Sequence, residues 1–342
     1  MGKYILKRIL YAVIALFVVS TIAFFAVRMI PGNPIEAMTE KLPDEIRQQV
    51  FEQYGFDKPI MEQYKLFFKE LFTEGDLGES LKYRGRKVTD TIASYAPVSG
   101  LLGAEAIAIG VISGIILGIV GRSGAVQHLQ QVLMVPGLDI VEQRPVPVQH
   151  RHLLHLDYLV MFIAVVGIAV PNFVLASCFQ YFLTIRFHLF PTTGWEGFSY
   201  TVLPALALSF NSTAKYARYM RANCLDVLNQ DYIITAKSKG MSKFRLIRKH
   251  VLKNSILPII TLLGPQIALM FGGAFVIERI FAIPGLGSYF VSSVTDRDYT
   301  MVMGQTIFIA ALYILSVLIV DILYGFIDPR IRISQRGGRD GN

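Results

Sequence analysis

Val98-Ser99-Gly100-Leu101-Leu102-Gly103-Ala104-Glu105-Ala106-Ile107-Ala108-Ile109-Gly110-Val111-Ile112-Ser113-Gly114-Ile115-Ile116-Leu117-Gly118-Ile119-Val120-Gly121 carries a single charge, Glu105, in an otherwise uncharged and mostly apolar run. A helix over this run is long enough to cross a hydrocarbon core of about 30 Å, so a bilayer is the solvent it suits. Similar runs stand at Ile9 to Ile30, Leu159 to Ile185, Ile256 to Ile277 and Met301 to Val320. Ser199 to Met220 adds a weaker one, interrupted by Lys215 and Arg218. A helix tolerates such charges when its polar face packs on protein and its basic end reaches the interface. The whole chain of 342 residues, 53% apolar and 17% charged with a mean hydropathy of +0.47, agrees with a membrane class. The expected fold is therefore an all-α polytopic membrane protein with about six transmembrane helices.

Charge sets the topology. Lys3, Lys7 and Arg8 precede the first run, and Met29-Ile30-Pro31-Gly32 offers no convincing cleavage site, so the first helix reads as retained. With the amino terminus inside, basic residues concentrate in the segments Lys215 to Lys253 and Arg330 to Arg339 on the cytoplasmic side, while short outer loops hold few. The net charge of +8 is thus a topology signal, and nucleic-acid binding is rejected. The expected organisation is a cytoplasmic amino terminus and first span over 1–30, an extracytoplasmic cap over 31–97, a core of spans over 98–327 and a cytoplasmic tail over 328–342. Within the cap, Glu45 to Tyr54 and Ile60 to Phe72 are amphipathic, with Pro43 and Pro59 near their starts, and suit short helices.

One stretch departs from this pattern. Arg122 to Asp157 is rich in Gln, His, Val and Pro and reads as an irregular cytoplasmic insertion without helical periodicity. Its His150, His152 and His155 lack a framework of carboxylates or thiolates, so no metal site is expected. Cys178 and Cys224 show no ligand or redox spacing and read as buried thiols.

The cytoplasmic stretch Leu225 to Phe244, inside a predicted loop over 223–255, is the most informative. Leu225, Leu228, Tyr232, Ile233 and Ala236 recur at three- and four-residue spacing and predict one apolar stripe on a short helix. Gly240 permits the left-handed backbone that stops it. Ser242 then starts a second helix, on which Phe244, Ile247 and Val251 are expected to form a face while Arg245, Arg248 and Lys249 stay wet. Such an elbow suits either an anionic lipid surface or a groove on a soluble partner.

Asp231-Tyr232-Ile233-Ile234-Thr235-Ala236-Lys237-Ser238-Lys239-Gly240 resembles the coupling-loop motif of permeases in ATP-binding-cassette importers, in the dipeptide, oligopeptide and nickel family, whose usual form is Asp-Tyr-x-x-Thr-Ala-basic-x-Lys-Gly. The general importer form begins Glu-Ala-Ala, where this chain has Ile234, Thr235 and Ala236. The resemblance continues in Tyr54 to Pro59, Gly75 to Ser80, Val170 to Phe173, Phe281 to Gly287, Arg297 to Tyr299 and Asp328 to Arg330, and is most like the oligopeptide branch. It implies a permease of the type I importer fold in a plasma (inner) membrane, assembled with a second similar permease, two cytoplasmic ATPases and an extracytoplasmic solute-binding protein, and carrying peptides. It further implies that Asp231, Tyr232, Thr235, Ala236, Gly240 and Ser242 couple the helices to the ATPases.

The chain has no Gly-x-x-x-x-Gly-Lys-Ser/Thr loop, so ATP is expected on partner subunits, with no cofactor of the permease's own and no enzymatic activity. Inside the spans, Glu105 costs on the order of 3 kcal/mol to bury and should face protein or a water-filled path. Pro171 should kink the third span beside Asn172, and these three residues are the candidates for the translocation path. Glu278 and Asp321 lie near span ends and read as structural. An ion-coupled carrier would need several midplane carboxylates, of which only Glu105 is clear. An intramembrane enzyme would need convergent nucleophile and base within spans, and His188 and His250 fall outside them.

Overall fold

The computed structural model describes residues 2–29, 43–53, 55–132, 162 and 165–327. Its helices follow as α1 (Gly2–Arg28), α2 (Asp44–Gln53), α3 (Ile60–Thr73), α4 (Val88–Val132), α5 (Asn172–Phe179), α6 (Phe198–Leu228), α7 (Asp231–Ser238), α8 (Lys243–Leu246), α9 (Leu252–Ser255), α10 (Leu257–Gly273), α11 (Phe275–Ile280), α12 (Leu286–Thr295) and α13 (Tyr299–Ile327). Two π-helical pieces, Gln180–Arg186 and Ile247–Val251, extend α5 and join α8 to α9. Among the described residues the only β pairing is an isolated bridge between Glu79 and Lys87.

Among the described residues, three helices are long and apolar enough to cross a membrane, at Ile5–Arg28, Val88–Val120 and Tyr299–Ile322. A fourth arises if Phe244–Ser255 and Leu257–Met270, bent by 47°, count as one broken span. The remaining expected spans differ for local reasons. Leu159 to Ile185, where described, is not one kinked helix but two pieces: Pro171 is extended (ψ 140°) and a new helix starts at Asn172. Proline lacks the N–H that the Gly167 carbonyl would accept, and Asn211 of α6 takes up the slack, donating Nδ2 to the carbonyls of Gly167 (3.2 Å) and Ile168 (3.4 Å). Ile256 to Ile277 breaks at Ile256, before Pro258, and again at Ala274.

The expected insertion also begins later than its composition suggests, because α4 continues helical to Val132. The three histidines and the rest of that insertion lie outside the described residues, as do 328–342.

The described residues up to Leu101 and from Gly264 onward form one compact unit, and those from Leu102 to Leu263 another. In the first, α1 lies against α13, with Arg8 paired to Asp321 at 2.6 Å. The amphipathic α3 lays Tyr64, Phe67 and Phe68 on Phe17, Phe24 and Phe25 of α1, with ring centroids 5.1–5.8 Å apart. Aromatic pairs of this kind contribute about 0.5–1.5 kcal/mol each beyond their burial. Arg28 at the end of α1 stacks on Phe24 at 3.7 Å and donates to Gln63 Oε1, so its charge is held between α1 and α3.

The second unit is organised by α6, one unbroken helix whose buried face is small and hydroxylic: Ala205, Ala207, Ser209, Ser212, Ala214 and Ala217. That composition explains its weak hydropathy. The face exists to admit a close neighbour. A Cβ at Gly114 of α4 would stand 2.5 Å from Tyr216 Cβ, and one at Gly118 2.5 Å from Met220 Cβ, so the glycines set how near the backbones come. Ser113 Oγ and Thr213 Oγ1 share a hydrogen bond of 2.8 Å across the same contact. Of the two cysteines, Cys224 is buried here, whereas Cys178 is exposed on α5 rather than buried as expected.

Candidate functional site

The α7–α8 elbow begins where α6 ends at Asn229. Asp231 opens α7, where a carboxylate complements the positive end of the helix dipole. At the other end the Met241 N–H reaches the Ala236 carbonyl at 3.3 Å while Gly240 turns left-handed at φ +73°. This is the six-to-one bond of a Schellman cap, and Met241 packs against the same apolar cluster that contains Ala236. Nothing lies within 4 Å of where a Cβ on Gly240 would be, so its backbone conformation, not space, calls for glycine. The Leu246 N–H then bonds the Ser242 carbonyl at 2.9 Å to start α8.

The elbow has its own core. Ile233 and Ala236 pack with Tyr216, Met220 and Cys224 of α6 and with Leu246, Val251 and Ile259. The continuous stripe expected from Leu225 to Ala236 is thus divided: the chain breaks at Asn229–Gln230, Ile233 and Ala236 point inward, and Tyr232 points out. The second expected face changes too. Phe244 is 74% exposed, and Leu246 and Val251 are the buried pair instead. The π-helical turn over Ile247–Val251 accounts for this, since i to i+5 bonding brings residues five apart onto one side.

Tyr232, Ile234 and Phe244 remain outward, 41%, 58% and 74% exposed. The Tyr232 hydroxyl accepts from Asn254 Nδ2 at 3.1 Å, which fixes the ring against the following helix. Thr235 Oγ1 donates back to the Asp231 carbonyl at 3.1 Å, and Gly240 and Ser242 are exposed at the turn. Asp231, Tyr232, Thr235, Ala236, Gly240 and Ser242 therefore come together on one rigid helix–turn–helix, Ala236 as part of its interior.

The path candidates are not brought together in this way. Glu105 is half-buried on α4, and its Oε2 has no hydrogen-bond partner among the described residues; the same holds for Asn172 Oδ1. No hydrogen bond joins the two residues there. Pro171 is exposed. Among the described residues no group of three His, Cys, Asp or Glu could hold a metal ion.

Sequence reasoning passed over a second polar centre. Glu278, read from the sequence as a structural carboxylate near a span end, is fully buried. Ser99 Oγ donates to its Oε1 at 2.7 Å and the Ser288 N–H to its Oε2 at 2.7 Å, while Ser99 Oγ accepts the Leu286 N–H. The carboxylate thereby caps α12 from another helix. Burial pushes its pKa up, and the bonds from Ser99, Ser288 and Gly287 pull it back. A Cβ on Gly285 would collide with this carboxyl group, which makes that glycine a matter of space. Asp298 is a similar hub: Ser80 Oγ donates to Oδ2, and the Leu81 and Met301 N–H groups donate to Oδ1 at 3.1 and 3.2 Å. The only sequence trace of this centre is an acid shortly before the Pro284-Gly285-Leu286-Gly287 turn and another just after α12.

Residues 152–333 match the family described as binding-protein-dependent transport system inner membrane component, and residues 1–92 match the amino-terminal family of such membrane components. The chain is 37% identical over 341 residues to the dipeptide transport system permease protein DppB of Bacillus subtilis, covering 98% of this chain and all of that protein. It is 36% identical over 334 residues to the oligopeptide transport system permease protein OppB of Escherichia coli K12, covering 97% of this chain and all of that one. A solved amino acid ABC transporter overlaps 71% of the chain and 94% of its own at 18% identity, with a TM-score of 0.46.

Proposed function

Because the chain belongs to the family of binding-protein-dependent transport system inner membrane components, we propose that it is the peptide-conducting permease of an ATP-driven importer. The assembly on this reading holds a second similar permease, two cytoplasmic ATPases that bind the ATP, and an extracytoplasmic solute-binding protein. Peptides are the cargo because the full-length relatives are named for dipeptide and oligopeptide transport.

One observation carries the coupling role: the elbow buries Ile233 and Ala236 in a core shared with α6, yet leaves Tyr232, Ile234 and Phe244 exposed. Apolar side chains clustered on the outside of a rigid turn suit a groove in a partner. An ATPase that closes around that face drags the elbow, and the shared core passes the motion to α6 as a unit. Asp231, Tyr232 and Thr235 meet the partner, Gly240 and Ser242 set the angle of the turn, and Ala236 locks α7 to the bundle. Glu105 and Asn172, each with an uncommitted buried oxygen, are the polar groups offered to a passing peptide.

The test is uptake of labelled di- and pentapeptides by the reconstituted complex. Gly240→Val should abolish uptake while the permease still inserts and pairs with its partner permease. Normal uptake by that variant removes the elbow from the mechanism, and uptake without any ATPase overturns the importer reading.

A further inference from the structure

In the first unit, beside the Glu278 centre, Arg86 carries a guanidinium that no carboxylate neutralises. It is half-buried, and among the described residues it forms no ion pair. Among the described residues the one hydrogen bond of its guanidinium goes to the Tyr95 hydroxyl at 3.2 Å. Its central carbon lies 5.0 Å from the middle of the Tyr289 ring and 5.7 Å from that of Tyr95, rings that stack on each other at 4.9 Å. Cation–π attraction of this kind orients an arginine without consuming its donors. A guanidinium has five N–H donors in a fixed fork that matches a carboxylate, so most of its bonding capacity is uncommitted.

The same two tyrosines line a cavity of about 400 Å³, the scale of a small-ligand site. Arg279 stands on its wall, exposed and also without an ion pair among the described residues, and Ser288 and Ser292 add hydroxyls. Glu278 lines it too, but it is fully buried and both of its oxygens already accept hydrogen bonds. The corner therefore offers the Arg279 guanidinium on its wall and an aromatic face, with Arg86 adjoining it through Tyr95 and Tyr289 rather than lining it. It is too small for a protein element and suited to the end of a chain.

We infer that this corner receives the α-carboxylate of the incoming peptide, with Arg86 and Arg279 meeting the carboxylate and the Tyr95–Tyr289 pair packing the last side chain. The inference rests on the peptide-import reading. A lipid phosphate offers the same oxyanion chemistry, and the experiment separates the two.

The complete importer is reconstituted with its ATPases and binding protein, and uptake is measured for one tripeptide as the free acid and as the C-terminal amide. Taking the ratio between variant and wild type cancels whatever preference the binding protein has. Arg86→Gln should lower kcat/KM for the free acid about tenfold more than for the amide, the effect of losing one charge-assisted hydrogen bond. Arg86→Lys should restore part of the difference, since the charge returns without the fork. Arg279→Gln, at an exposed position that does not endanger folding, should show the same selective loss even if Arg86→Gln fails to assemble. Equal losses for acid and amide would make the cluster a structural brace and overturn the inference, as would no change in either. A loss that follows the anionic lipid content of the vesicle instead of the peptide terminus assigns the site to lipid phosphate and overturns it too. If the wild type imports neither peptide, the peptide reading itself fails, and this inference with it.

Discussion

At Gly240 the chain turns left-handed with open space around the missing side chain, whereas Ala282 and Arg297 adopt the same conformation, at φ +52° and +56°, with side chains attached. All three close a helix in one way. The Ile283 N–H returns to the Glu278 carbonyl at 2.8 Å and the Asp298 N–H to the Ser293 carbonyl at 2.9 Å, the same six-to-one bond that Met241 makes with Ala236. A non-glycine residue there costs about 1–2 kcal/mol, so something must hold it. Around Ala282 that is burial of Phe281 and Ile283 and the Glu278 carboxylate packed against Gly285; after Arg297 it is Asp298, tied to Ser80, Leu81 and Met301. The elbow thus owes its bend to residue choice and apolar packing, and the loop Phe281–Asp298 owes its bends to buried carboxylates.

If that contrast is right, the carboxylates should be the most expensive residues to lose. Glu278→Ala leaves the Ser99 hydroxyl and the N–H groups of Ser288 and Gly287 without their acceptor, and should destabilise the purified permease by on the order of 4 kcal/mol in a denaturation series. Glu278→Gln, which keeps one acceptor, should cost clearly less; an equal loss would mean that packing, not hydrogen bonding, shapes the loop. Ile233→Ala empties part of the elbow's core and should cost about 3 kcal/mol, with α7 becoming sensitive to protease while the outer loop stays protected. Ala282→Gly should move stability by less than about 1 kcal/mol, because relief of the left-handed strain is offset by the added freedom of the unfolded chain. A loss beyond that would show that the methyl group is itself packed. Phe244→Ala, on an exposed side chain, should leave stability within about 0.5 kcal/mol but uncouple ATP hydrolysis from uptake. Unchanged coupling would take Phe244 out of the docking face.

The elbow was readable because its signals are local. The spacing of Leu228, Tyr232, Ile233 and Ala236, Gly240 at a helix end and Ser242 before the next helix each depend on neighbours in the chain. Its faces were harder: the break at Asn229 and the π-helical turn over Ile247–Val251 shift the register by residues that a regular 3.6 period does not anticipate. Phe244 and Val251 were expected on one face and lie on different ones. The Glu278 centre left almost no trace, because Ser99, Glu278 and Ser288 meet across long stretches of chain and Ala282 and Arg297 are not turn-forming residues.

The amino-acid order was enough for the helical membrane class, the cap helices, the glycine elbow and the family, since hydrophobic length and short motifs are properties of contiguous residues. It did not distinguish a kinked third span from a broken one, because the outcome depended on Asn211 of α6 being at hand to donate to the freed carbonyls. Nor did it rank the carboxylates. Glu278 became a buried cap, Asp321 a partner for Arg8, and Glu105 a side chain with an oxygen left over. A carboxylate's solvation and partners are set by whatever the fold packs against it, and that is decided by residues remote in sequence.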